Sequence, residues 1–395
     1  MMKILHVITG MDPQLGGVCQ AVRTTIKGLG KLGVHNEVVC LDAFDSQFIK
    51  EDSFIIHALG PSKSSWAYGP TFLNWMMAHA SNFDKIIIHG LWQYPTYATI
   101  KAIKKLRKVK SLPKVFIMPH GMLDPYFQKA SSRKLKAIRN WIYWRLIEKN
   151  TINNAQGLLF TCQEEMELAR IPFHPYQPKR EVIVGLGVEA PPIYTEEMKN
   201  AFLALCPSLQ QHSYLLFLSR IHEKKGIDLL LSAYNKILIE YQQIGKRLPK
   251  LVIAGPGLET KFGQQMQEFV IQHRLQEDIL FTGMLTGYAK WGAFYNCEAF
   301  VLPSHQENFG IAVVESLACS KPVLISNRVN IWKEIEANTA GFIGDDTLNG
   351  TIQLLKQWFL LSTEDKENMN LNALSVFKKH YAVESAARKF LGAIK

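Results

Sequence analysis

Two doubly wound α/β domains, each built on a parallel sheet, are what this chain predicts, and three observations carry the prediction. Its 395 residues exceed what one hydrophobic core ordinarily serves. Short apolar runs alternate with longer amphipathic stretches from end to end, the pattern of strands feeding crossover helices. Several runs end in glycine-rich or charged turns, and ligands of open parallel sheets bind beyond the carboxyl ends of the strands.

In the first half, strands are predicted at Lys3 to Thr9, Glu37 to Leu41, Ile86 to His89, Val115 to Pro119 and Gly157 to Thr161. The second half offers Tyr214 to Ser219, Leu251 to Ala254, Ile279 to Thr282, Ala299 to Pro303 and Pro322 to Ser326. Pro172, Pro175, Pro178, Pro191 and Pro192 punctuate the stretch between the two sets. The expected domains are therefore 1–180 and 181–375, with a C-terminal helix in 376–395 packing back on the first. Two sheets facing each other would gather the strand-end turns around one deep cleft.

Hydrophobic residues at 47% and charged residues at 20% describe a folded globular chain. No apolar run approaches the length of a bilayer span. Met1 to Gly10 reads as a first buried strand, because its apolar run is short and leads into a Gly-rich loop. The six cysteines are scattered without metal-ligand or redox spacing, as thiols in a reducing cytoplasm would be. No Asp-x-Asp occurs and no His and Asp cluster resembles a metal site. The charge is uneven: residues 1–180 hold 24 Lys and Arg against 12 Asp and Glu, whereas 181–395 hold 21 against 22. An anionic partner of the first half follows, either a membrane surface, a lipid-phosphate acceptor or an acidic glycan. No nucleic-acid recognition motif accompanies the charge.

The richest string is Ser304-His-Gln-Glu-Asn-Phe-Gly-Ile-Ala-Val-Val-Glu-Ser-Leu-Ala-Cys-Ser-Lys-Pro-Val323. A polar turn with Asn308 and Gly310 follows a strand and precedes an apolar, helix-compatible segment. Glu307 would then lie just before the helix and Glu315 about two turns inside it, two acids able to accept hydrogen bonds from several hydroxyls of one polyol. The turn's N–H groups and the helix's positive end favour a phosphate. Leu218-Ser-Arg-Ile-His-Glu-Lys-Lys-Gly226 puts Arg220 and Lys225 at a strand end, where a guanidinium and an ammonium suit a diphosphate. Gln14-Leu-Gly-Gly-Val18 opens a helix after the first strand; Gly16 and Gly17 leave N–H groups free for a ligand, or form an ordinary strand-to-helix turn. Gly-x-Gly-x-x-Gly is absent, which counts against a nicotinamide or flavin enzyme. His120, in Pro-His-Gly, sits on a strand-end turn, and His89 has a similar setting beside Trp92 and Tyr94. Gly255 and Gly283 mark two further strand-end turns.

Over nearly its whole length, and most specifically from Leu215 to Val323, the chain resembles the retaining, nucleotide-sugar-dependent glycosyltransferases of family 4, whose fold is GT-B. The resemblance implies that Glu315 holds ribose hydroxyls, Glu307 donor-sugar hydroxyls, and the backbone at Asn308, Phe309 and Gly310 the sugar and phosphate. It gives Arg220 and Lys225 the leaving diphosphate, Gly16 and Gly17 the donor phosphates and acceptor, and His120 a place near the donor sugar. Gly255 and Gly283 fall where the family surrounds base and ribose. Gly185-Leu-Gly187 stands where the family has Asn-Gly, so no contact is carried over to that loop. The cysteines and the basic first half give the expectation of a cytoplasmic enzyme, peripheral on the inner face of the plasma membrane, and the resemblance implies a carbohydrate or lipid-linked sugar acceptor with no metal or other cofactor. A non-catalytic nucleotide-sugar-binding protein of the same fold is the alternative, and a GT-B phosphorylase or glucan synthase a third.

In Ile100 to Lys110, Ala102, Ile103, Leu106 and Val109 share one helical face and most of the basic residues the other, as in a core-packed helix with a solvated basic side. Trp141, Tyr143 and Trp144 spread around the wheel of Arg133 to Lys149, which therefore does not read as a clean membrane-surface helix.

Overall fold

The computed structural model describes residues 1–395 except 14–15, 107–111 and 130–133. The Gln14–Leu15 part of the first glycine turn, Val109 and the end of the basic helix, and Arg133 lie outside the described residues. The chain forms two compact units, Met1–Glu189 with Val383–Lys395, and Ala190–Ala382.

The first unit carries seven strands: β1 (Lys3–Val7), β2 (His35–Cys40), β3 (Ile55–Ala58), β4 (Lys85–His89), β5 (Lys114–Met118), β6 (Gly157–Phe160) and β7 (Glu181–Ile183). They pair in parallel in the order β3-β2-β1-β4-β5-β6-β7. β4, Lys-Ile-Ile-Ile-His, is buried at every position, as a central parallel strand covered on both faces must be. The helix Val383–Ile394 closes this unit against the helix Gly17–Lys31. Gly28 permits the approach, since a Cβ there would meet Ala387 Cβ at 2.8 Å, and Lys31 joins Glu384 at 2.6 Å. Gly187 serves the same helix, its Cβ position lying 2.9 Å from Val383 Cα.

The second unit carries β8 (Tyr214–Leu218), β9 (Lys250–Ala254), β10 (Ile279–Gly283), β11 (Ala299–Leu302), β12 (Val323–Ser326) and β13 (Gly341–Gly344). They are parallel in the order β10-β9-β8-β11-β12-β13. Strand order reverses at β1/β4 in the first unit and at β8/β11 in the second. Ligands of doubly wound sheets bind at such a switch, which lies here at the loops after Val7, His89, Leu218 and Leu302.

The ten expected strands are present; β3, β7 and β13 are additional. β3 and β7 are sheet edges without a fully buried face, and β13 is a four-residue Gly-Phe-Ile-Gly, so none has a strong apolar run. The division between units falls at Glu189/Ala190, nine residues beyond the expected 180/181.

Candidate active site

In the second unit the switch-point loops are hydrogen-bonded to each other. Lys224 O, after β8, accepts from His305 N (2.9 Å) and Ser304 Oγ (2.9 Å), after β11. Gly226 caps the helix Ile227–Gln243 at φ +67°, and a Cβ there would lie 2.0 Å from Pro303 O. Only glycine lets these two loops close on each other. Glu307 is fixed by the loop after β12: its N–H donates to Arg328 O (2.8 Å) and its carbonyl accepts from Asn330 N (2.9 Å).

This frame sets Lys225 against Glu307, and the Lys225 ammonium donates to Glu307 Oε2. Burial pushes the Glu307 carboxyl upward, but Lys225, Lys224 and the Phe309 N–H outweigh it and hold the group below its ordinary range. Glu307 is therefore a carboxylate at neutral pH. Gly310 (φ +75°) caps the helix Ile311–Ala318, so Glu315 lies in that helix's second turn, nearer its start than the two turns expected. Phe309 is buried against Tyr381, ring centroids 5.6 Å apart, which anchors the turn. Asn308 Oδ1 accepts from Asn330 Nδ2 at 3.4 Å, a long bond.

Glu315 Oε1 accepts from Lys290 Nζ at 2.6 Å. Its carboxyl is raised, burial prevailing over the attraction of Lys290. Lys290 reaches it from the helix Gly287–Asn296, which Gly292 allows to pack on Glu196–Leu205; a Cβ at Gly292 would meet Met198 O at 2.0 Å. Arg220 differs from all these groups. It is exposed and has no ion-pair partner among the described residues. Gly255 (φ +140°) is required by its neighbour, because a Cβ would lie 1.9 Å from Ser219 O, whereas Gly283 (φ +70°) has open space at that position.

In the first unit, His89 and His120 stand together with a third ring the sequence did not single out, His6. His6 Nδ1 lies 3.0 Å from His89 Nε2, and His89 Nδ1 3.0 Å from His120 Nε2. Burial lowers all three, His6 and His120 to about 4, so the row is neutral at pH 7. His120 (φ +51°) and Gly121 (φ +77°) are consecutive left-handed residues. Glu165 clamps the turn: its carboxylate accepts from Gly121 N (2.6 Å), Thr161 N (2.7 Å) and Thr161 Oγ1 (2.6 Å). Gly16 (φ +101°), with open space at its Cβ position, precedes Gly17, the first residue of the helix Gly17–Lys31. Cys19 Sγ donates to Gly16 O at 2.9 Å.

Lys290, His6 and Glu165 were not legible as site residues. Lys290 and Glu165 carry no motif, but a histidine inside the apolar strand Lys-Ile-Leu-His-Val was a visible signal. Among the described residues no group of three or more His, Cys, Asp or Glu could hold a metal ion, and no helix is long and apolar enough to cross a membrane.

Residues 208–375 match the model of the family Glycosyl transferases group 1. An uncharacterized glycosyltransferase of Methanocaldococcus jannaschii is 30% identical over 127 residues, covering 32% of this chain and 30% of that protein. The O-antigen chain mannosyltransferase C of Escherichia coli is 28% identical over 142 residues, covering 35% of this chain and 32% of its own length. The chain thus spans about a third of the length of these relatives. The Anabaena protein Alr3699/HepE, solved with UDP and glucose, superposes with a TM-score of 0.74 at 14% identity, covering 100% of this chain and 99% of its own. That likeness gives the fold, and the fold is GT-B.

Proposed function

We propose that the protein transfers a sugar from a nucleoside diphosphate sugar to an acceptor hydroxyl, with retention at the anomeric carbon and without a metal, in polysaccharide, lipopolysaccharide or glycolipid synthesis. The observation that carries this reading is the set Arg220, Lys225 and Glu307 on the switch-point loops of the second unit, with Glu315 on the helix that follows, all inside the matched segment. Arg220 and Lys225 take the leaving diphosphate, where the largest charge develops, so fixed cations there lower the barrier. Glu307 accepts from donor-sugar hydroxyls and Glu315 from the ribose, with the backbone of Asn308, Phe309 and Gly310 and the turns at Gly255 and Gly283 completing the donor site. On the first unit, His120 is assigned to a sugar hydroxyl and Gly16 and Gly17 to phosphate or acceptor.

A panel of UDP-, GDP- and ADP-sugars tests the reading by thermal shift, because a ligand held only by the folded chain raises the melting temperature. One donor should stabilise the protein and be consumed when an acceptor is supplied. A stabilising donor that is neither hydrolysed nor transferred would establish the alternative, a nucleotide-sugar-binding protein; no shift with any of them would remove the donor site.

A second element concerns where the enzyme works: we propose that its first unit rests on an anionic membrane. Leu135, Ile138, Trp141, Ile142 and Leu146 are 48% to 84% exposed on the helical stretch 134–154, whereas Trp144 is wholly buried against Phe173. The aromatic residues of this stretch are thus sorted between inside and outside, and an apolar face is left in solvent. Residues 101–149 hold 14 Lys and Arg against two acids, Asp124 and Glu148, and both acids are buried. An apolar face rimmed by cations suits anionic lipid.

A further inference from the structure

The row of histidines in the first unit continues to a fourth residue. Asn36, on β2, lies level with Ile4 of β1; His6 is two positions further along β1 and level with Ile87 of β4. His89 is two positions beyond Ile87 and level with Met118 of β5, and His120 is two beyond Met118. Each step moves one strand across and two residues toward the carboxyl edge. Because strand side chains alternate with period two, Asn36, His6 and His89 fall on one face, and the turn after β5 brings His120 to the end of the same diagonal line. The bonds are His6 Nε2 to Asn36 Oδ1 at 3.1 Å and the two ring-to-ring contacts of 3.0 Å, with ring centroids 5.3 Å apart in both pairs.

The polarity of the line is set at its buried end. Asn36 Nδ2 donates to Val34 O at 2.9 Å, and a carbonyl can only accept. Asn36 Oδ1 is therefore the atom facing His6, so His6 Nε2 carries the proton and its Nδ1 accepts. His89 Nε2 must then donate to His6, and His120 Nε2 to His89. Reversing the line would set the His6 Nε2 lone pair against Asn36 Oδ1; turning the amide instead would set its oxygen against Val34 O. Either leaves two acceptors in contact in a buried place. What remains is His120 Nδ1, without a protein partner among the described residues.

We propose that Asn36, His6 and His89 are positioning residues that hold His120 as its Nε2–H tautomer and so make its Nδ1 a fixed hydrogen-bond acceptor for a hydroxyl of a polyol ligand. The tautomer follows from the hydrogen bonds alone; the ligand class rests on the sugar-transfer reading above. The line is a polariser and not a proton conduit. A proton arriving at His120 Nδ1 could pass inward only to His6 Nε2, where the Asn36 amide oxygen accepts a hydrogen bond but hands nothing on. Depressed basicity of all three rings agrees with an acceptor that stays neutral.

Nitrogen-15 histidine NMR of the whole protein, assigned by single substitutions, tests the tautomer without reference to activity. At pH 7 three histidines should show a protonated Nε2 and a bare Nδ1, and the Asn36→Leu variant should give His120 a mixture of tautomers. Asn36→Asp keeps an oxygen for His6 but loses the donor to Val34 O, so it should be less stable while preserving the wild-type tautomers and raising the pH at which His6 charges. A protonated Nδ1 or an imidazolium on His120 in the wild-type protein would overturn the proposal, and the wild-type spectrum decides even where Asn36→Leu does not fold. Where it folds, an unchanged His120 spectrum would overturn the role of Asn36. With a turned-over sugar donor, Asn36→Leu should lower kcat/KM roughly tenfold, the worth of about one hydrogen bond. The correct tautomer in a protein that binds no nucleotide sugar would instead count against the functional reading.

Discussion

The Lys225 ammonium donates to the Glu307 carboxylate, joining the loop after β8 to the loop after β11. The two residues were expected to serve different parts of a donor, one the diphosphate and the other the sugar. Their pairing means that neither role is independent: a diphosphate that draws on Lys225 also changes the charge felt by Glu307. The side chains are only 9% and 22% exposed, so removing one partner strands the other where water compensates poorly. Lys225→Met and Glu307→Gln should each destabilise the protein, and the double variant should be less affected than their sum, by about 0.5–3 kcal/mol. Denaturant unfolding of the four proteins measures this. Additivity within error would mean that the ion pair contributes nothing.

Arg220 supplies the contrast, being exposed and without an ion-pair partner among the described residues. Arg220→Ala should leave the melting temperature unchanged while turnover falls roughly a hundredfold or more, as for one transition-state electrostatic contact. Near-normal turnover in the folded variant would strike Arg220 from the diphosphate site.

Glu315 gives a pH dependence with a definite sign. Its carboxyl is raised by burial and pulled down by Lys290 at 2.6 Å. In the proposed ribose role only the ionised form would accept from both hydroxyls, so nucleotide affinity should rise with pH through the Glu315 titration. Lys290→Met removes the opposing charge and should move that midpoint to higher pH; Glu315→Ala should lose most nucleotide affinity. Calorimetric titrations with a nucleoside diphosphate across pH 4–8 read both effects. Affinity indifferent to Glu315→Ala would end the ribose assignment.

What the sequence disclosed and what it withheld divide along a physical line. Strands buried on both faces, such as Lys85-Ile-Ile-Ile-His89, announce themselves as apolar runs, and glycine turns after them mark the switch points. Glu307, Arg220 and Lys225 lie within one contiguous string each, so local order revealed them. Lys290, Asn36, His6 and Glu165 act through partners 25 to 83 positions away, brought near by strand register or by helix packing at Gly292. Nothing local in the chain states such a register. The exposed face of 134–146 was hidden for a related reason: a wheel shows periodicity, but which side the core takes depends on Phe173 receiving Trp144.

The first unit should be most stable slightly below neutrality. Glu148 is wholly buried, one oxygen accepting from Trp92 N at 2.6 Å and the other without a partner among the described residues, and burial raises it from an ordinary 4.5 to about 8. A raised carboxyl gives stability that is full below the unfolded value and is lost as pH climbs from about 4.5 to about 8. His6 and His120 are depressed from 6.5 to about 4, so their contribution is full above 6.5 and is lost as pH falls toward 4. Each proton contributes a slope of at most about 1.4 kcal/mol per pH unit, so the acid limb, with two histidines, is the steeper. Glu148→Gln keeps an oxygen for the Trp92 N–H and should flatten the alkaline limb alone. Thermal unfolding from pH 4 to 9 checks both limbs; an alkaline limb that survives in Glu148→Gln would assign it to another group.

Membrane docking should depend on two surfaces of different chemistry. Lys101, Lys104 and Lys105 line a groove of about 340 Å³ whose opposite wall includes Leu146 and Ile147, so the basic helix Tyr94–Lys105 borders the apolar face. An anionic bilayer would meet the lysines with its headgroups and Leu135, Ile138, Trp141 and Leu146 with its acyl boundary. Each lysine near such a surface contributes about 1 kcal/mol, so Lys101→Glu with Lys104→Glu should weaken binding roughly thirtyfold or more, and added salt should act in the same direction. Trp141→Ser with Leu146→Ser should also weaken it, but with little change in the salt dependence, because the charges remain. Co-sedimentation with vesicles of phosphatidylglycerol and phosphatidylcholine separates these terms. Equal recovery on neutral and anionic vesicles, or binding untouched by both pairs of substitutions, would detach the first unit from the membrane and leave a soluble acceptor as the anionic partner of its charge.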